Sequence, residues 1–93
     1  MQKYEIEAIL LKLKTLSGWE YKAGFLEKNY KFRDFSEAFA FLTRIALLSE
    51  TLGHHPDWSG VYNKVTLRLR THDADGITDK DFEFAQKAEG FLK

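Results

Sequence analysis

Cysteine is absent from the chain, which removes disulfides and thiol redox chemistry and leaves the fold to be held by its core alone. Neither sign of charge is in excess: 14 basic and 14 acidic side chains cancel. That balance excludes the basic footprint of proteins that live on nucleic acid or on anionic membrane surfaces. No apolar run approaches the roughly 20 residues that span a bilayer, and Met1 leads directly into an amphipathic pattern without a signal-type apolar segment. The expectation is a soluble, cytoplasmic protein that neither enters a membrane nor binds nucleic acid. No linker or low-complexity stretch interrupts the sequence, so residues 1–93 read as a single domain. Proline occurs once and histidine three times, a scarcity that makes their positions informative.

With 44% hydrophobic and 15% aromatic residues, a chain of this length can build a small core without metal or disulfide. From Tyr4 to Leu16, the residues Ile6, Ile9, Leu10, Leu13 and Leu16 recur at helical spacing with charged residues between them, which predicts an amphipathic helix ended at Ser17-Gly18. Trp19 to Ala23 and Phe25 to Arg33 are aromatic-rich, alternate with period two and break at Gly24, which predicts a hairpin. Asp34, three residues before Glu37, reads as an N-cap with its capping-box partner and opens a helix running to Leu52. That helix is apolar around most of its circumference and must be covered from more than one direction. Phe39, Leu42 and Ala46 are the flank expected to meet a sheet. Phe41, Ile45, Leu48 and Leu52 are the excess expected to meet another copy of the chain, with Phe41 or Leu48 at the contact.

Gly53 stands where a left-handed residue closes a helix, and Pro56 keeps His55 extended. Val65, Leu67 and Leu69 alternate with Thr66, Arg68, Arg70 and His72, so His72 ends a strand whose partner is Trp58 to Val61. Thr78 and Asp81 form a second capping box, opening a last helix with Phe84, Ala85, Ala88, Phe91 and Leu92 on its buried face. The order is α-β-β-α-β-β-α. It predicts an α+β, two-layer domain, a four-stranded antiparallel sheet with three helices on one face.

Chemistry concentrates between Glu50 and Asp81. His54 and His55 precede the rigid Pro56, the third histidine lies at a strand end, and imidazole is the side chain best suited to exchange protons near neutrality. Glu50, one helical turn before His54, is placed to orient that ring and favour its charged form. A three-histidine zinc site is the weaker alternative, because adjacent side chains diverge in an extended segment and no HExxH pair is present. Nucleophilic catalysis lacks both a cysteine and a serine elbow. Asp81 reads as a capping residue, and Arg68 with Arg70 as a small basic stripe beside His72.

An acidic residue, three residues, His-His-Pro, five residues, an aromatic, nine residues, His, eight residues and Asp is filled here by Glu50, His54, His55, Pro56, Tyr62, His72 and Asp81. Together with Trp58, Val61 to Val65 and Phe39 to Arg44, this pattern resembles the pterin-4a-carbinolamine dehydratases, over almost the whole chain. The resemblance implies dehydration of 4a-hydroxytetrahydropterin to quinonoid dihydropterin, with no cofactor and no metal. It implies His54 and His72 as the acid/base pair and His55 as the residue that binds and orients the pterin. Gly53, His54, His55, Arg70, Thr71, His72 and Asp73 would line the substrate, supported by Glu50, Pro56, Trp58 and Asp81. Gly53 departs from relatives that carry an acidic residue there and contributes only backbone. The implied assembly is a homodimer or homotetramer through the helix of residues 34–52. Animal relatives also act as partners of a transcription factor, which leaves a binding module without turnover as the alternative function.

Overall fold

The structure, a computed structural model, describes residues 2–92. Its elements run α1 (Ile6–Leu13), β1 (Glu20–Lys22), β2 (Phe25–Lys31), α2 (Phe35–Leu52), β3 (Asp57–Val61), β4 (Lys64–Leu69), a short 3-10 turn (His72–Ala74) and α3 (Asp79–Gly90). The four strands form one antiparallel sheet in the order β1-β2-β4-β3, so the second hairpin docks its inner strand on β2 and leaves β3 at an edge. Register places Leu26 opposite Leu69, Tyr30 opposite Val65 and Trp58 opposite Leu67. Period-two geometry therefore turns Leu26, Tyr30, Val65, Leu67 and Leu69 to one face, where they are buried with Ile9, Phe41, Ile45, Phe84 and Ala88 of the helices. Glu27, Asn29, Thr66 and Arg68 occupy the opposite, open face.

Helix ends follow local chemistry. Asp34 accepts the Glu37 amide at 2.9 Å, and that hydrogen bond, with Arg33 beside it, holds the Asp34 carboxyl below its ordinary range. The Glu37 carboxylate, however, accepts from the amide of Arg33, one residue before the cap, at 2.8 Å. At the far end Gly53 has φ +63°, and the amides of Gly53 and His54 both donate to the Ser49 carbonyl. In α3 the capping box is complete, with Thr78 and Asp81 each accepting from the other's end of the first turn.

Three expectations are corrected. α1 is shorter than Tyr4 to Leu16: Ile9 is its buried residue, Leu13 is half-buried, Leu16 is buried in the turn beyond the helix, and Ile6 and Leu10 lie at the uncovered margin of the stripe. In α3, Asp81 and Phe82 join Phe84, Ala85 and Ala88 inside, whereas Leu92 is exposed beyond the end of the helix. The two flanks of α2 are exchanged. Phe41, Ile45 and Leu48 are buried against the sheet, and the exposed flank is Phe35, Phe39 and Ala46, with Leu42 half-covered. The aromatic contacts explain the choice, because Phe41 sits 4.7 Å from the ring of Tyr30 and 5.1 Å from that of Phe32, centroid to centroid. Leu48 and Phe41 are core residues and cannot form a contact between copies.

Sequence patterning gives no hint of Glu89. Its carboxylate accepts from Lys28 Nζ at 2.7 Å, Tyr30 Oη at 2.9 Å and Trp19 Nε1 at 3.2 Å, and so ties the turn after α1, strand β2 and helix α3 together. Burial pushes the Tyr30 hydroxyl far above its ordinary range, and the neighbouring carboxylate adds to the effect. Glu89→Gln keeps the shape, removes the partner of a charge and sets an N–H₂ against existing donors. It should lower stability by about 1–3 kcal/mol in urea unfolding. Gly53→Ala meets no atom within 4 Å, so its cost is conformational alone, about 1–2 kcal/mol by the same measurement.

Candidate active site

α2, the turn after β4 and the first turn of α3 meet at Asp81. The left-handed step at Gly53 turns the chain so that His54 points inward, its ring edge-on to Phe84 and its Nε2 2.6 Å from Asp81 Oδ1. Asp81 is fully buried, and its other oxygen accepts from the Thr78 amide at 2.9 Å and from the Thr71 hydroxyl at 2.8 Å. Thr71 immediately precedes His72, whose ring is exposed at the start of the 3-10 turn. One buried carboxylate thus anchors His54 directly and the base of His72 through its neighbour, joining residues far apart in sequence.

His55 goes the other way. Its Nε2 lies 2.6 Å from Glu50 Oε2, and both side chains are mostly exposed. The sequence places Glu50 beside His54, and the structure corrects this: Glu50 pairs with His55, and Asp81, expected to cap a helix and support the site, is the partner of His54. Glu50 and His55 stand at one end of a cleft of about 440 Å³ walled by Phe39, Leu42, Pro56 and Trp58. Trp58 lies on the edge strand with 60% of its surface exposed, so its ring is a wall of this cleft rather than core. A larger depression, about 510 Å³, lies between Lys31, Lys64, Asn29 and Ser59, and no histidine lines it.

His72 is also corrected: it lies beyond β4, which ends at Leu69, and belongs to the turn closed by the Thr71–Gly76 bridge. Thr71, expected to line a substrate, has its polar groups engaged within the protein. Its amide donates to the Gly76 carbonyl, its carbonyl accepts from Ala74 and Gly76, and its hydroxyl is buried on Asp81 and Thr78. The basic stripe is neutralised locally. Arg70 pairs with Asp75 across the turn, and Arg68 lies over the Phe25 ring with its Nε 3.3 Å from Glu27, too poorly aligned for a hydrogen bond. Asp73 is exposed beside His72, and Gly53 is exposed with open space above its Cα. Among the described residues, no three His, Asp or Glu side chains are grouped as metal ligands would be, and the two adjacent rings face different carboxylates. None of the helices is long and apolar enough to cross a membrane, among the described residues.

Comparison with known proteins places the chain in a family. A family profile described as pterin 4 alpha carbinolamine dehydratase matches residues 1–91. A protein of Synechococcus sp. (strain WH7803), provisionally named pterin-4-alpha-carbinolamine dehydratase, is 52% identical over 75 residues, covering 81% of each chain. One from Christiangramia forsetii with the same provisional name is 42% identical over 93 residues, covering 100% of this chain and 96% of its own. A crystal structure from Brucella melitensis, titled transcriptional coactivator/pterin dehydratase, superposes with a TM-score of 0.92 at 34% identity and covers 96% of this chain and 97% of its own. By sequence and by fold, the chain belongs to the pterin 4 alpha carbinolamine dehydratase family.

Proposed function

We propose that the protein is a hydro-lyase that dehydrates 4a-hydroxytetrahydropterin to quinonoid dihydropterin, in the cytoplasm, as a step of tetrahydropterin recycling. The observation that carries this reading is the shared anchoring of His54 and His72 at Asp81, within a chain of this family. Dehydration breaks the bond between carbon 4a and its hydroxyl. One proton is delivered to the departing oxygen, which leaves as water, and another is taken from a ring nitrogen as the new double bond forms. Two positioned imidazoles supply both transfers, and the chemistry calls for no electron acceptor or organic cofactor. His54 and His72 are assigned these transfers. His55, on its exposed pair with Glu50, is assigned to bind and orient the pterin, with Gly53, Arg70 and Asp73 around it.

A second reading has its own support. The exposed flank of α2, with Phe35 and Phe39 each more than half exposed, continues into Trp58, Val61 and Tyr62 of the edge hairpin. Apolar surface so continuous is what soluble proteins cover with a partner, and the Brucella relative carries a coactivator title. We assign this flank to a homodimer or homotetramer contact through the 34–52 helix. A protein-binding role without turnover is the alternative function.

Turnover of 4a-hydroxytetrahydropterin against the spontaneous reaction separates enzyme from pure adaptor, the latter giving no acceleration. His54→Ala and His72→Ala should each lower kcat by roughly a hundredfold or more, the size of a lost proton-transfer group. His55→Ala should chiefly raise KM, and wild-type turnover by His72→Ala would remove that residue from the mechanism. For assembly, Phe39→Glu puts a charge on the exposed flank and should shift the sedimenting species toward monomer without unfolding it. A wild-type protein already monomeric at micromolar concentration would contradict the contact.

A further inference from the structure

The donors around Asp81 fix more than the position of His54. Asp81 Oδ2 receives two donors, the Thr78 amide at 2.9 Å and the Thr71 hydroxyl at 2.8 Å. Thr71 Oγ1 also lies 2.8 Å from Thr78 Oγ1. A threonine hydroxyl has one proton to give. Thr71 spends its proton on Asp81, so Thr78 must donate to Thr71, while Thr78 Oγ1 accepts the Lys80 amide at 3.2 Å. The chain of donors runs one way, from the first turn of α3 through Thr78 and Thr71 to the carboxylate. Thr71, Thr78 and Asp81 are all buried, at 6%, 0% and 0% exposure, so solvent cannot reverse it.

With Oδ2 occupied by two donors, Oδ1 is left to His54. At 2.6 Å a proton must lie between Oδ1 and Nε2, and a carboxylate holding that many donors takes it as acceptor. His54 is then protonated on Nε2. Among the described residues its Nδ1 has no hydrogen-bond partner, and it is not a buried orphan either, since Arg68 Nε is the one such side-chain atom there. Nδ1 is therefore accessible to solvent, the ring nitrogen open to gain or lose a proton.

Resting on the dehydratase reading above, we propose that Thr71 is a positioning residue for that reaction: its hydroxyl fixes Asp81 so that His54 is held as the Nε2–H tautomer, leaving Nδ1 to exchange a proton with the pterin. Thr71 itself does not touch the substrate, because all its polar groups are engaged in the 71–76 turn and the relay. The device acts through geometry, since a carboxylate that loses one of its three donors can rotate and take the imidazole with it. Misplacing a catalytic group by about 1 Å can cost up to a hundredfold.

Nitrogen-15 NMR of the histidine side chains reads the tautomer without any pterin. Once His54 is titrated to its neutral form, the wild-type protein should show it as a single Nε2–H tautomer with a downfield, slowly exchanging Hε2 proton. A protonated Nδ1 with Nε2 as acceptor would overturn the proposal. Thr71→Val, nearly isosteric, should lose the protected Hε2 resonance, and Thr71→Ser should retain it. In steady-state assay Thr71→Val should lower kcat about tenfold to a hundredfold with KM little changed, and Thr71→Ser should restore it. A raised KM with unchanged kcat would instead mark Thr71 as a substrate contact and overturn the positioning role. If the wild type shows no turnover, the dehydratase reading fails and the NMR result alone decides the relay. Should Thr71→Val not fold, Thr71→Ala provides the same spectral comparison.

Discussion

A carboxylate removed from water is tolerable only when its lone pairs are filled, and Asp81 draws the donors it needs from three separate parts of the chain. One is the amide of Thr78 at the start of α3, one the hydroxyl of Thr71 beyond β4, and one the ring of His54 beyond α2. The start of the last helix, whose dipole also favours a negative group there, is thereby registered against the ends of two other elements. Removing any single donor leaves a buried charge short of a partner, which costs far more than the net worth of an ordinary hydrogen bond. The same constraint that completes the core therefore sets the position of His54.

The fold is legible where local chemistry and periodicity agree. Val65, Leu67 and Leu69 alternate cleanly because one face of the sheet is covered and the other open, and both capping residues, Asp34 and Thr78, announce their helices. What periodicity does not carry is the choice between two equally apolar flanks of α2. Phe41 and Phe39 are the same side chain on different sides of one helix, and only Tyr30 and Phe32, brought alongside by the sheet, decide which is buried. Glu89 is illegible for a related reason. A glutamate near a helix end reads as solvated, and its three partners lie 59 or more residues away in sequence.

At the site, the residue types are legible and the pairings are not. Were α2 to continue, residue 54 would stack over residue 50, which is the geometry that suggests Glu50 for His54. The positive φ at Gly53 breaks that row, so His54 swings toward α3 and His55 returns over Glu50. Thr71 and Arg70 follow the same logic. Their pattern in the sequence is that of an exposed strand end, but a turn six residues long folds back on them and supplies Gly76 and Asp75 as partners.

The two imidazole–carboxylate pairs have the same separation, 2.6 Å, and opposite surroundings. Side-chain exposure is 10% and 0% for His54 and Asp81, against 61% and 78% for His55 and Glu50. An exposed pair gains at most about 1 kcal/mol, because water competes for both groups, so His55 can leave Glu50 at little cost when a ligand offers a better hydrogen bond. The buried pair cannot open without stranding a charge, so the orientation of His54 is fixed before any ligand arrives. Proton transfer demands that fixed orientation, since its efficiency depends on placement, whereas recognition of a heterocycle benefits from a side chain free to adjust. Adjacent residues of one type thus acquire different roles in the proposed reaction from burial alone.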